Sequence, residues 1–269
     1  MERLKVGICG ASGKMGKALI KAVINNVNLE LAGALEYAES QNLGKDAGET
    51  AGCGNIGIKI TSDPKDFFSK VDGVIDFSFA SSSIENIKMA SKHNCSYVLG
   101  TTGFDKEQIK IIEEASKSIP IVFSANMSIG VNIILYYAEM LSKSLGNEFD
   151  AEIHEIHHRD KLDSPSGTAL SIGKAIAKGR KIDLEKNTIK GRWGIENERE
   201  KGAIGFSTSR GGDVIGDHTI TFAGSGERVE LSHKAGNREI FSNGALKALI
   251  WLKDRPPGYY TMANVLGLN

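Results

Sequence analysis

Alternating strand and helix signals through the first half of the chain, then a run of adjacent strands, predict an α/β protein. The expected architecture is a Rossmann-like parallel sheet joined to a smaller α+β domain with a mixed open sheet. A glycine-rich turn directly after the first strand is the third observation behind this class. Leu4, Val6 and Ile8 open the first strand, and Met15, Leu19, Ile20, Val23 and Ile24 mark a helix over Lys14 to Asn25. Strands follow at Leu29 to Glu36 and Gly73 to Ser78. A helix over Ser81 to His93, with serine as a candidate cap, leads to the strand Tyr97 to Leu99. The helix Asp105 to Lys117 and the strand Ile121 to Phe123 complete the alternation.

The rhythm changes near residue 127. A helix from Ser128 to Ser144, a strand from Phe149 to His158 and a helix from Ser166 to Lys178 precede a polar, poorly periodic excursion, Lys181 to Lys201. Strands at Ile204 to Ser209, Asp217 to Ala223 and Arg228 to His233 then come without intervening helices, which predicts a mixed or antiparallel sheet. The helix Arg238 to Lys253 ends before Arg255-Pro-Pro-Gly258, and the tail is expected to return to the first domain. The domains are therefore read as 1–127, completed by 238–269, and 128–237.

Composition excludes several function classes. Lys plus Arg equals Asp plus Glu, 33 each, so no basic field argues for nucleic acid or anionic lipid. Cys9, Cys53 and Cys95 have no metal-like spacing and read as free thiols. The chain passes from Met-Glu-Arg into a strand with no apolar leader and no membrane-length apolar run, so a cytoplasmic protein is expected.

Two motifs carry chemistry. Gly10-Ala11-Ser12-Gly13-Lys14-Met15-Gly16 is a Gly-x-x-Gly-x-x-Gly loop in which Ser12 and Met15 stand where the usual fingerprint has glycine. Glycines let the backbone turn and approach a pyrophosphate at the following helix start. Glu36 follows Gly16 by 20 residues, where an acidic side chain would accept from ribose hydroxyls. Gly100-Thr101-Thr102-Gly103 and Ser124-Ala125-Asn126-Met127 each follow a strand and are expected to line the same crevice. The second motif, residues 152–169, brings together His157, His158 and Lys161 and then Ser166-Gly167-Thr168 at a helix start. Imidazoles exchange protons near neutral pH, lysine is a fixed positive charge, and helix-start amides favour carboxylate or phosphate.

Strand alternation puts His154 and His158 on one face with Glu152 and Ile156, and His157 on the other with Glu155 and Ile153. That split argues against a three-histidine metal site, and no metal is expected. His218 and His233 lie on apolar strand faces and read as satisfied core or interface histidines.

The segment Glu-Ile-His-Glu-Ile-His-His-x-x-Lys-x-Asp-Ser-Pro-Ser-Gly-Thr-Ala resembles the signature of the dihydrodipicolinate reductase family of lysine biosynthesis. The glycine loop, Glu36, Gly-Thr-Thr-Gly, Ser-Ala-Asn-Met and the ending Met-Ala-Asn-Val-Leu-Gly-Leu fit in order, so the resemblance covers essentially the whole chain. It implies NADH- or NADPH-dependent reduction of a cyclic dicarboxylate by a homotetramer assembled mainly through the second domain. By motif position it implies that His157 donates or accepts a proton and Lys161 donates one, with His158, Gly167 and Thr168 binding substrate. It also implies that Gly10, Ala11, Ser12, Gly13, Lys14, Met15, Glu36, Gly100, Thr101, Thr102, Ser124, Ala125, Asn126 and Met127 bind cofactor. The residue after the acid is Tyr37, where the family often has arginine for a 2′-phosphate, so the choice of cofactor stays open. The residues alone leave open whether His157 or Lys161 protonates. A nucleotide sensor would need no His-His-x-x-Lys array, and a metal hydrolase or lyase is the other class to discriminate.

Overall fold

The computed structural model describes residues 2–192 and 194–268, so Trp193 in the polar excursion and the terminal Asn269 lie outside the described residues. In chain order the first elements are β1 (Leu4–Cys9), α1 (Lys14–Ile24), β2 (Leu29–Leu35), α2 (Ala47–Ala51), β3 (Ile60–Thr61) and α3 (Pro64–Phe68). Next come β4 (Gly73–Asp76), α4 (Ala80–His93), β5 (Ser96–Leu99), α5 (Lys106–Ala115), β6 (Pro120–Phe123) and α6 (Ile129–Leu145). The remainder is β7 (Asp150–His157), α7 (Gly167–Arg180), β8 (Thr188–Lys190), β9 (Ile204–Arg210), β10 (Asp217–Ala223), β11 (Arg228–Lys234), α8 (Glu239–Leu252), β12 (Gly258–Tyr260) and α9 (Met262–Leu266).

These elements form two compact units, residues 1–129 with 239–269, and residues 130–238. The first holds a seven-stranded parallel sheet in the order β12-β6-β5-β4-β1-β2-β3. Strand order reverses between β1 and β4, so the loops leaving those two strands open a crevice at the switch point. One core layer joins Leu19, Ile20 and Val23 of α1 to Ala245, Leu249 and Leu252 of α8, and the other joins Phe67, Ile87, Tyr97 and Ile112. Each large apolar side chain so buried contributes roughly 1.5–3 kcal/mol. The tail returns as expected, β12 pairing with β6.

The second unit is a mixed sheet, β11-β10-β7-β9-β8, antiparallel at β10 and parallel at β9. Ile134 and Ala138 of α6, with Ile172 and Ile176 of α7, pack on Ala151, Ile153, Phe206, Ile220 and Phe222. Arg199, in the polar excursion, ties that segment to β7 through Asp150 at 2.8 Å, Glu152 at 2.8 Å and the Ala151 carbonyl at 3.1 Å. The differences from the sequence reading are local. The N-cap of α4 is Phe79 with no side-chain cap, not a serine. The short elements α2, α3, β3, β8 and β12 are too brief to register as periodic patterns.

Candidate active site

The glycine loop runs from β1 into α1 with Gly10 at φ +72°, a conformation that favours glycine. A side chain on Gly16 would overlap the Gly10 carbonyl oxygen and the Ala11 backbone, so the helix can start this close only with glycine there. The N-cap of α1 is Gly13, which makes no side-chain cap hydrogen bond. A cradle that side chains would fill, in front of a helix start, fits a pyrophosphate. Lys14 is exposed and Met15 half-buried.

Glu36 is turned onto this loop. Its Oε2 accepts from the Ser12 amide at 2.9 Å and the Ser12 hydroxyl at 2.5 Å, and its Oε1 accepts from the Tyr37 amide at 3.2 Å. Ser12, one of the two departures from the usual fingerprint, thus holds the Glu36 carboxylate against the loop. Tyr37 is exposed.

Sequence reasoning missed the group beneath the neighbouring loops. Asp76, fully buried at the end of β4, accepts from the Tyr97 hydroxyl at 2.5 Å, the Asn86 amide at 3.2 Å and the Ser78 backbone at 2.8 Å. Burial, then the nearby Asp76 carboxylate, pushes the Tyr97 hydroxyl well up, so it stays a donor. Thr101 is also buried, and its hydroxyl accepts from Ser83 at 3.0 Å. That hydroxyl therefore shapes the loop, while Gly100 is half-buried and Thr102 exposed at its surface. In the following loop the Ser124 hydroxyl donates to the Asn126 carbonyl at 2.7 Å, Ala125 is exposed, and Met127 is fully buried, its backbone close against Gly244.

In the second unit β7 alternates as the sequence requires: Ala151, Ile153, Glu155 and His157 point inward, Glu152 and His154 outward. His154 lies within 3.0 Å of the Ser207 hydroxyl on the outer face, away from His157. His158 is half-buried just past the strand. Pairing register supplies the neighbours, His218 of β10 opposite Glu155 and Arg210 of β9 opposite His157. Glu155 Oε1 accepts from the Ser166 amide at 3.0 Å and from Arg210 at 3.3 Å. His157 Nδ1 is 2.7 Å from Glu155 Oε2.

The two atoms are buried, and neither has an aligned hydrogen bond. Two lone pairs cannot approach to 2.7 Å without a proton between them, so we assign Nδ1 as the protonated nitrogen. Burial lowers the His157 pKa, Lys161 and Arg210 lower it further, and Glu155 opposes them. Burial also works to raise Glu155, but the Ser166 hydrogen bonds and the His157 and Arg210 charges outweigh it and hold the carboxyl below its usual range.

Lys161 sits on the loop after β7, its ammonium on both Asp163 oxygens at 2.7 and 2.8 Å. Those hydrogen bonds are the main cause that keeps Asp163 below its ordinary pKa. Arg210 clamps the same loop by donating to the Lys161 carbonyl at 3.2 Å and the Asp163 carbonyl at 2.6 Å. The loop ends at Ser166, whose hydroxyl caps α7 by accepting from the Ala169 amide at 3.1 Å. Gly167, the first residue of α7, is exposed with open space where a Cβ would stand, and Thr168 behind it is half-buried.

His218 is indeed a core histidine, bonded to the Ser166 hydroxyl at 3.0 Å, but its ring is also 5.1 Å from that of His157. Burial, then the His157 charge, pushes it down to about 4. "Satisfied" holds only in part, because Nδ1 of both His218 and His233 is buried without a hydrogen bond. Glu155, His157 and His218 each bring a potential ligand atom within 4.8 Å of the others, a juxtaposition that the strand-face argument did not consider.

A family model for the N-terminus of dihydrodipicolinate reductase matches residues 4–127, and one for its C-terminus matches residues 130–266. The chain belongs to the dihydrodipicolinate reductase family. It is 45% identical over 268 residues to the 4-hydroxy-tetrahydrodipicolinate reductase of Methylocella silvestris, covering 100% of this chain and 98% of that one. With the same enzyme of Brucella abortus the identity is 47%, over 97% of this chain and 98% of the relative. A dipicolinate-bound dihydrodipicolinate reductase from Paenisporosarcina superposes with a TM-score of 0.78 at 25% identity, covering 97% of this chain and 98% of that chain. An amine dehydrogenase from Mycobacterium smegmatis, 11% identical with a TM-score of 0.61 over 97% and 95% of the two chains, shares the fold alone. The family, the fold class and the oxidoreductase activity expected from the sequence agree with these matches. No helix among the described residues is long and apolar enough to cross a membrane.

Proposed function

We propose that the enzyme reduces 4-hydroxy-tetrahydrodipicolinate to tetrahydrodipicolinate with NADH or NADPH, in the diaminopimelate route to lysine. The observation that carries this reading is one buried carboxylate, Glu155, that meets His157 and the start of α7 directly and the Lys161 loop through Arg210, in a chain of this family. Substrate and product differ by replacement of a ring hydroxyl with hydrogen. One hydride and one proton therefore enter, and one water leaves.

When bound, the reduced nicotinamide supplies the hydride, and the residues that would hold its dinucleotide are the loop 10–15, Glu36, 100–102 and 124–127. Lys161 is the proton donor to the electron density left on the ring, because an ammonium carries a proton at neutral pH. His157, neutral with its proton on Nδ1, accepts or relays a proton at Nε2. The two substrate carboxylates are seated by Lys161 with His158 and by the Gly167-Thr168 turn of α7.

The Glu155–His157–His218 cluster acts in this reading through protons and not through a metal ion. Arg210 already neutralises Glu155, and the Lys161 charge acts on His157 as a second cation. Loss of NADH absorbance that depends on the cyclic substrate and is unchanged by a chelator is the expected outcome. Chelator-sensitive turnover with stoichiometric metal would overturn the proton reading.

NADH is used at least as well as NADPH, since Glu36 accepts from a ribose diol but repels a 2′-phosphate, and Tyr37 offers no cation. Tyr37→Arg is expected to raise the NADPH-to-NADH ratio of kcat/KM about tenfold, a charge-assisted bond contributing roughly 1.5–3 kcal/mol. A wild-type enzyme that strongly prefers NADPH would contradict this.

Assembly is proposed as a homotetramer through the second unit. Its sheet carries Glu152, His154, Ser207 and Ser232 on an exposed face opposite the helices. Light scattering should give four times the chain mass.

A further inference from the structure

Glu155 touches His157 and the cap of α7 directly, and reaches the Lys161 loop through Arg210. It is 1% exposed, two residues before His157 on the same face of β7. One oxygen takes the backbone N–H of Ser166, the cap of the helix whose first residues seat a carboxylate. The same oxygen takes Arg210, which donates to two carbonyls of the loop that carries Lys161. The other oxygen lies 2.7 Å from His157 Nδ1. On the far side of the ring, Nε2 faces Gly216, where a Cβ would come within 2.8 Å.

A neutral imidazole has one donor and one acceptor nitrogen, and its partner decides which is which. A carboxylate can only accept, so it selects the Nδ1–H form and leaves the Nε2 lone pair as the working end. We propose that Glu155 is a positioning residue: it fixes the tautomer and ring orientation of His157 and locks that ring in register with the start of α7. The inference rests on the reading that His157 handles a proton, and it names the device that makes the ring fit for that task. The charged and titratable groups facing His157 are Glu155 on its own strand, Lys161 on the loop, Arg210 from β9 and His218 from β10. Among them Glu155 is the only one that favours a charged ring.

Glu155→Gln is the discriminating variant. Its carbonyl can still accept from Ser166 and Arg210, but its amide presents a donor to Nδ1 and so selects the Nε2–H form. The expected result is a folded enzyme with kcat down by about 10- to 100-fold, at or below the lower end of the roughly 10² to 10⁴ that a positioned proton-transfer group contributes, because the ring stays in place with the wrong tautomer. The KM for NADH should be unchanged. The acid limb of the pH profile should move to lower pH, because the one neighbour that raises the His157 pKa is gone. Glu155→Asp, which restores the charge on a shorter stem, should recover part of the rate.

Side-chain nitrogen NMR gives a readout apart from activity. Wild-type His157 should be in the Nδ1–H form at neutral pH and the glutamine variant in the Nε2–H form. An Nε2–H ring in the wild type overturns the proposal even if the variant fails to fold. So does a glutamine variant with an unchanged tautomer and wild-type kcat. His157→Ala with wild-type turnover would instead sink the underlying catalytic reading, so the two failures are distinguishable.

Discussion

Replacing Lys161 with alanine is expected to cut turnover by about 10² to 10⁴, the usual cost of removing one positioned proton donor. Cofactor affinity should survive, because the dinucleotide is assigned to loops of the other compact unit. His157→Ala should lose activity in the same range, and the double variant should lose little more than the worse single one. Residues acting in one proton path are strongly non-additive. The two single changes leave different defects behind. Without Lys161, Asp163 loses its main partner and its pKa should climb toward the ordinary carboxylate value. Without His157, Glu155 loses the ring nitrogen 2.7 Å from one oxygen but keeps Ser166 and Arg210 on the other. Steady-state kinetics with fluorescence titration of NADH separates these effects from loss of folding. A double variant that turns over near the wild-type rate would remove both residues from the mechanism.

The second large effect is expected at Gly167. Open space lies where its Cβ would stand, and no positive φ requires glycine there, so Gly167→Val should fold. The valine would occupy the approach to the first amides of α7, which we assign to a substrate carboxylate. Losing a charge-assisted seat of roughly 1.5–3 kcal/mol corresponds to about a 10- to 100-fold rise in substrate KM. The KM for NADH should barely move. Thr168→Pro removes one amide at a helix position that tolerates proline and should act in the same direction. Equal rises for substrate and NADH would point to damage spread through the protein.

Much of this site was legible because its chemistry is local in sequence. The spacing from His157 to Thr168 keeps the proposed acid, base and anion seat on one strand, one loop and one helix start. The two-residue period of β7 puts His157 and Glu155 on one face with Ile153, and the structure buries that face. What the sequence withheld was register. Inward-facing His218 could be read from its alternation with Ile220 and Phe222, but only the pairing of β10 with β7 sets it opposite Glu155. Arg210 likewise reaches Glu155 and the Lys161 loop only because β9 runs parallel beside β7. Asp76 fell inside the expected strand Gly73 to Ser78, with nothing in the sequence to set it apart. Its partners Tyr97, Asn86 and Ser78 come from β5, α4 and the loop after β4, and only the tertiary fold assembles them. The loops proposed to hold cofactor were visible for the opposite reason, since glycine is demanded where backbone packs tightly on backbone, as at Gly16.

The central claim is that this chain delivers one hydride and one proton to a cyclic dicarboxylate. It is tested most directly by supplying freshly prepared 4-hydroxy-tetrahydrodipicolinate with NADH deuterated at the transferable position and weighing the product. The account expects tetrahydrodipicolinate carrying one deuterium, formed in step with NADH oxidation by the wild type and nearly absent with Lys161→Ala. NADH oxidation without the cyclic substrate, or product that carries no deuterium, would contradict it.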